Sequence, residues 1–185
     1  MKVIFLDIDG VMNSTEEMIA LYNQYGSSID NTLPSPIKCK LLKQLVDETG
    51  AKLVLSSSWR LSLHAIQTIM DTFRPYGLQL DGFTCDGVLR SMFNGTEYRN
   101  IKPKHIHHCY EGICIDDRGA EIAYWLLRHP EVTNFVILDD ESSDIIEWFP
   151  NNLVKTDLLT GLTEEKVLEC IKILGGKEKN NETND

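Results

Sequence analysis

Two aspartates, Asp7 and Asp9, close the apolar run Val3-Ile4-Phe5-Leu6 and are followed at once by Gly10-Val11. Carboxylates two residues apart would share one face of an ideal strand. At a strand end, where the chain begins to turn, the first can lie along the strand axis toward a phosphorus atom while the second bends beside a leaving group. That geometry would turn Asp7 toward the phosphorus and set Asp9 beside the leaving group, and Gly10 permits the turn. An Asp-rich loop or a helix N-cap would produce the same short string, so the pair takes its meaning from what accompanies it.

Three further clusters accompany it. In Leu53-Val54-Leu55-Ser56-Ser57-Ser58-Trp59-Arg60 a small hydroxyl follows an apolar run, and the free backbone N–H groups after it would cradle a phosphate. Ser56 leads this group, with Ser57, Ser58 and Arg60 as further substrate-binding candidates; one of the serines could also cap the helix containing Leu63. In Val136-Ile137-Leu138-Asp139-Asp140-Glu141, clustered carboxylates repel one another unless a cation neutralises them, and oxygen-only ligands select a hard ion such as Mg2+. Asp144 lies close enough in sequence to support that shell. In Asp116-Asp117-Arg118-Gly119-Ala120-Glu121, Arg118 could balance the negative charge of carboxylates plus phosphate, with Lys104 as the alternative cation.

The elements that must position these residues are legible as patterns. Val3 to Leu6, Lys52 to Leu55 and Asn134 to Leu138 are continuous apolar runs, as expected of strands buried on both faces, and each ends in one of the clusters. Ser35-Pro36 reads as N-cap and first helical residue of a helix with Leu41, Leu42, Leu45 and Val46 as its apolar stripe and Gly50 as its end. Leu63, Ile66, Ile69, Met70 and Phe73 make a second stripe, stopped by Pro75 and Gly77. Ile122, Trp125 and Leu126 make a third, ended by Pro130, and Val167, Leu168, Ile171 and Leu174 a fourth, opened by Thr163. Strands alternating with helices imply a parallel α/β sheet with its ligands at the carboxyl ends of the strands. The stretches Met12 to Pro34 and Leu78 to Asp117 are rich in turn residues and only weakly periodic, and are expected to hold loops or cap elements.

Composition sets the frame. The 185 residues suit one domain over 1–174, followed by a polar tail over 175–185 that is expected to be disordered. The five cysteines form no CxxC pair and suit small core positions in a reducing, cytoplasmic setting. No run approaches the roughly 20 apolar residues of a membrane span, and no secretory leader is expected from the N-terminus. With 28 acidic against 18 basic side chains the net charge is -10, which argues against non-specific duplex binding.

Taken in order, Asp-x-Asp-Gly-Val, then Ser56, then Arg118, then Asp139-Asp140, the clusters resemble motifs I to IV of the haloacid dehalogenase (HAD) superfamily across roughly residues 3 to 163. Phe5 to Val11, Leu55 to Arg60, Arg118 to Leu126 and Ile137 to Asp140 look more narrowly like the HAD domains of Swiss Army Knife RNA repair proteins. The phosphatase half of polynucleotide kinase-phosphatase is a more distant likeness. The resemblance implies a Rossmannoid three-layer α/β sandwich with a mostly parallel central sheet and small or minimal caps. It implies a Mg2+-dependent phosphatase in which Asp7 forms an aspartyl-phosphate and Asp9 protonates the leaving group. The metal would be held by Asp7, the Asp9 backbone carbonyl, Asp139 and Asp140. Ser56 would bind phosphoryl oxygens together with Gly10, Ser57 and Ser58. Arg118 stands where the family often has Lys, with Lys104 the other candidate.

Because the cap intervals are short, the expected site is open and suits a bulky phosphorylated substrate, an RNA or DNA end carrying a terminal, for instance 3′, phosphate. Arg60, Arg90, Phe93, Tyr98, Arg99, Lys102, Lys104, His105, His107 and His108 would supply a basic, partly aromatic strand-binding surface, or else a solvated loop. His105, His107, His108 and Cys109 lack a second ligand pair, so no zinc site is expected. The alternatives are a small-molecule or nucleotide phosphatase and a catalytically weak HAD domain that binds a phosphorylated ligand.

Overall fold

The computed structural model describes residues 1–26, 33–84, 106–109, 112–115, 117–141 and 143–175. Five parallel strands form the central sheet: β1 (Lys2–Leu6), β2 (Lys52–Leu55), β3 (Leu80–Phe83), β6 (Asn134–Asp139) and β7 (Leu153–Lys155), in the spatial order β3-β2-β1-β6-β7. A separate antiparallel hairpin pairs β4 (Ile106–Cys109) with β5 (Gly112–Ile115). The helices are α1 (Thr15–Tyr25), α2 (Pro36–Thr49), α3 (Leu63–Phe73), α4 (Arg118–Leu127) and α5 (Glu164–Ile173).

The apolar run of β1 is continuous because both of its faces are covered. Ile4 and Leu6 point into a core made with Leu42 and Leu45 of α2, Ile69 and Phe73 of α3, and Val167 and Ile171 of α5. Val3 and Phe5, on the opposite face, pack with Ile122 and Trp125 of α4 and with Ile145. Phe5 meets the Trp125 ring edge-on at 5.2 Å between centroids, a favoured aromatic geometry. Helices on both faces of one sheet make the expected three-layer α/β sandwich. Among the described residues no helix is long and apolar enough to cross a membrane.

Helix boundaries follow their capping residues. The Ser35 hydroxyl accepts from Lys38 N and Gly50 closes α2 in the left-handed conformation. Ser62 caps α3, Asp117 caps α4 and Thr163 caps α5 through side-chain oxygens. Two stripes are narrower than expected. Leu63 is 87% exposed and Met70 42% exposed, because the buried arc of α3 is centred on Ile69 and Phe73 and these two lie progressively beyond it. Leu168 is 57% exposed, since a step of one residue from Val167 rotates about 100° off the buried face of α5.

The weakly periodic intervals hold α1, β3 and the hairpin. Helix α1 buries no residue, and β3 carries Asp81 and Gly82, so neither shows a full apolar pattern. Cys39 and Cys170 are buried core residues, as expected; burial raises both thiols, Cys39 to about 12. The tail beyond Gly175, and Cys85, lie outside the described residues.

Gly119, in the first turn of α4, packs tightly: a β-carbon there would fall 2.4 Å from Trp148 Cδ1 and 2.8 Å from the Asp144 carbonyl oxygen. Alanine in an open helix is favoured over glycine by about 1 kcal/mol. Here Gly119→Ala is expected instead to destabilise by about 1–3 kcal/mol through overpacking, measured by urea denaturation; a stabilised variant would contradict this packing.

Candidate active site

The parallel order around β1 brings three strand ends side by side. Ser56 N donates to the Leu6 carbonyl at 2.8 Å and Asp7 N donates to the Leu138 carbonyl at 3.0 Å, so the residues just past β1, β2 and β6 emerge together. Asp7 and Asp139 are buried, at 7% and 1% exposure, with Asp140 beside them. One carboxylate oxygen from each of these three lies within 4.8 Å of the others.

Gly10 does more than turn the chain. Its φ of +68° is in the left-handed region, and a β-carbon there would fall 2.5 Å from Asp140 Cγ, so only glycine lets Asp140 approach. Its carbonyl accepts from Thr156 Oγ1 at 2.7 Å, and Thr156 N donates to the Asp139 carbonyl at 3.0 Å, tying the end of β7 to the same loop.

Arg118 bridges the acids. Its Nη1 lies 3.0 Å from Asp7 Oδ1 and 2.9 Å from Asp139 Oδ2. It is aimed there by the start of α4, where Asp117 Oδ1 accepts from Ala120 N at 2.8 Å and Asp144 Oδ2 accepts from Arg118 N at 2.8 Å. Burial opposes the Arg118 charge, but Asp7 and Asp139 together outweigh it and hold the guanidinium above its ordinary pKa. Burial pushes Asp139 up to about 7, against the pull of Arg118 and with a further push from Asp7. Burial, then Asp7, raises Asp140 as well. The other candidate cation, Lys104, lies outside the described residues.

The segment after β2 divides its residues among different tasks. Ser56 is 1% exposed and its Oγ has no hydrogen-bond partner among the described residues. A buried hydroxyl left unpaired costs about 1–3 kcal/mol, so this orphan suits a ligand oxygen. Ser57 is fully buried and accepts from Trp59 N, while Ser58 is exposed. The helix cap is Ser62 rather than one of these three serines. Arg60 departs from its expected role. Its side chain is 4% exposed, ion-paired with Glu121 of α4, and donates to the Ser57 carbonyl at 2.6 Å, an arrangement that anchors the loop rather than offering the guanidinium to substrate.

Asp9 stands apart from the three acids. It is exposed, with Oδ1 accepting from Asn13 Nδ2 at 2.9 Å and Oδ2 accepting from Trp59 Nε1 at 2.9 Å. Sequence reasoning overlooked Asn13 and Glu121 and left Trp59 without a role. The only signal was proximity: Asn13 follows Asp9 by four residues, and Trp59 and Arg60 sit next to the serines. Of the expected basic surface, Arg90, Phe93, Tyr98, Arg99, Lys102, Lys104 and His105 lie outside the described residues, and His107 and His108 fall on β4.

The donor set fits a hard divalent cation. Asp7, Asp139 and Asp140 offer oxygens only, gathered within 4.8 Å of one another, and two of the three are buried. A bound Mg2+ would neutralise their mutual repulsion and polarise a phosphoryl oxygen.

Residues 3–167 match the family described as HAD domain in Swiss Army Knife RNA repair proteins. No curated protein and no solved structure matches the chain.

Because the fold raises the pKa of Asp139 from 3.8 to about 7, this group favours the folded state most below about pH 4 and loses that contribution as pH rises through about 7. A cation competes with the proton for the same oxygens. Mg2+ is therefore expected to raise the melting temperature by several degrees near pH 8 and by much less near pH 5. Differential scanning fluorimetry across pH and Mg2+ concentration checks this; equal shifts at both pH values would contradict it.

Proposed function

Since the chain belongs to the family of HAD domains found in Swiss Army Knife RNA repair proteins, we propose that it is a Mg2+-dependent phosphomonoesterase that works through a phosphorylated Asp7 and removes a terminal phosphate from a nucleic acid. Family membership supports a phosphatase in general. The finer reading is carried by one observation: a carboxylate trio, two of whose members are bridged by Arg118, with an exposed and separately held Asp9 two residues from the first.

In this reading Asp7, next to the cation site, attacks phosphorus in line. A bond forms between its carboxylate oxygen and phosphorus as the ester P–O bond breaks. Asp9 gives its proton to the departing alcohol oxygen and is left as the carboxylate. It then takes a proton from the water that attacks the phosphorylated Asp7, releasing phosphate and restoring both groups. Arg118 and the Ser56 hydroxyl bind the phosphoryl oxygens, with Gly10 and the backbone after Ser56 lining the cradle. Asp7, Asp139 and Asp140, with the Asp9 carbonyl, would hold Mg2+.

The exposure of Asp9 supports a bulky substrate. The leaving group must sit beside Asp9, and among the described residues that side is open to solvent. A nucleic-acid end fits there, with a 3′-phosphate as the leading case and RNA or DNA as the polymer. The compartment in this reading is the cytoplasm, in keeping with cysteines suited to core positions.

Asp7→Asn is expected to lower Mg2+-dependent turnover of an aryl phosphate by about a thousandfold or more while leaving the circular dichroism spectrum unchanged. Retained turnover would sink the nucleophile assignment, and failure of beryllofluoride to bind at Asp7 would favour a phospho-ligand-binding domain instead. On a substrate panel, phosphate release should be faster from 3′-phosphorylated oligonucleotides than from mononucleotides; the opposite order would favour a nucleotide phosphatase.

A further inference from the structure

Asp9 poses a mechanical problem that the four sequence clusters leave unsolved. A proton donor must be held close to the atom it serves, and small misplacements cost rate steeply. Asp9 is exposed in an otherwise buried turn beyond the end of β1, and an exposed side chain of this type ordinarily samples several rotamers. Its carboxyl is nevertheless engaged at both oxygens, by Asn13 Nδ2 and Trp59 Nε1, each at 2.9 Å.

Both donors are themselves well fixed. Asn13 is 4% exposed, and its Oδ1 accepts from Gly10 N at 3.0 Å. That bond settles its amide orientation, since the flipped amide would set oxygen against the Asp9 carboxylate and NH2 against a backbone N–H. The Trp59 ring packs against the larger core cluster, and its N–H can only donate. Ser57 holds the Trp59 backbone N–H, Ser62 N donates to the Trp59 carbonyl at 3.2 Å, and Arg60 is anchored by Glu121 and the Ser57 carbonyl. The short turn Ser58–Leu61 thus locks one residue into α4 and presents the next to Asp9. An exposed carboxylate is well served by water, so stability alone does not call for two buried or half-buried donors here.

We infer that Trp59 and Asn13 are positioning residues that clamp the Asp9 carboxyl in the direction from which it protonates the leaving oxygen. The inference rests on the phosphatase reading above. In the step concerned, the Asp7–phosphorus bond forms, the ester P–O bond breaks, and the Asp9 proton moves to the departing oxygen. An alkyl oxygen needs that proton; a p-nitrophenyl oxygen leaves readily without it. Loss of the clamp should therefore be felt selectively, according to the leaving group.

The test compares kcat/KM of the Mg2+-loaded full chain for p-nitrophenyl phosphate and for an alkyl phosphate, in wild type, Trp59→Phe and Asn13→Ser. This parameter covers events up to departure of the leaving group, so hydrolysis of phosphorylated Asp7 does not enter it. Each variant is expected to lower the alkyl-to-aryl ratio by about tenfold or more. A merely structural role would lower both substrates in proportion, and an unchanged ratio in folded Trp59→Phe and Asn13→Ser would overturn the inference. The two variants lose different donors on different segments, so misfolding of one leaves the other to decide. If wild type turns over neither phosphate, or Asp7→Asn retains turnover, the phosphatase reading itself falls and takes the clamp with it; an unchanged ratio with Asp7→Asn inactive defeats the clamp alone.

Discussion

Three carboxylates gathered within 4.8 Å, two of them buried, repel one another strongly, and the local architecture is organised around containing that repulsion. Arg118 bridges two of the three and is held above its ordinary pKa by them, while Asp139 is pushed up toward proton uptake by its burial. A site in this condition favours protons, a guanidinium or a metal cation. That preference is what suits the three acids to a hard divalent ion.

Containment of the charge depends on packing some distance away. Arg118 is aimed by the start of α4, which Asp117 and Asp144 hold by backbone hydrogen bonds and which Gly119 allows to lie against Trp148. Glu121, one turn along the same helix, pairs with Arg60 in a nearly dry environment. Removing one partner of such a pair costs about 3–5 kcal/mol because the other charge is stranded. The pair therefore couples the loop after β2 to the helix that carries Arg118, so that Ser56 and the Arg118 guanidinium are set by one connected unit.

Asp9 is treated in the opposite way. It is kept out of the carboxylate trio, left open to solvent and held by two uncharged donors. The two aspartates thus stand two residues apart in the chain yet in different surroundings, Asp7 buried against Arg118 and Asp9 exposed between Asn13 and Trp59.

Much of this was legible in the chain itself. Continuous apolar runs ending in Asp7, Ser56 and Asp139 predict buried parallel strands, because only a strand covered on both faces can be apolar at every position. Ser35, Thr163 and Gly50 marked helix ends because capping chemistry is local. Strands β3 and β7 were missed because short edge strands carry too few apolar positions to show a period, and α1 because it buries none of its side chains. The sequence by itself determined which groups stand at the strand ends, since type and spacing are local properties. Only the tertiary structure decided that Arg60 turns to Glu121, that Gly10 makes room for Asp140, and that Trp59 reaches Asp9. Each of those contacts joins residues far apart in the chain, and their distance in space depends on how the layers pack, which no local pattern encodes.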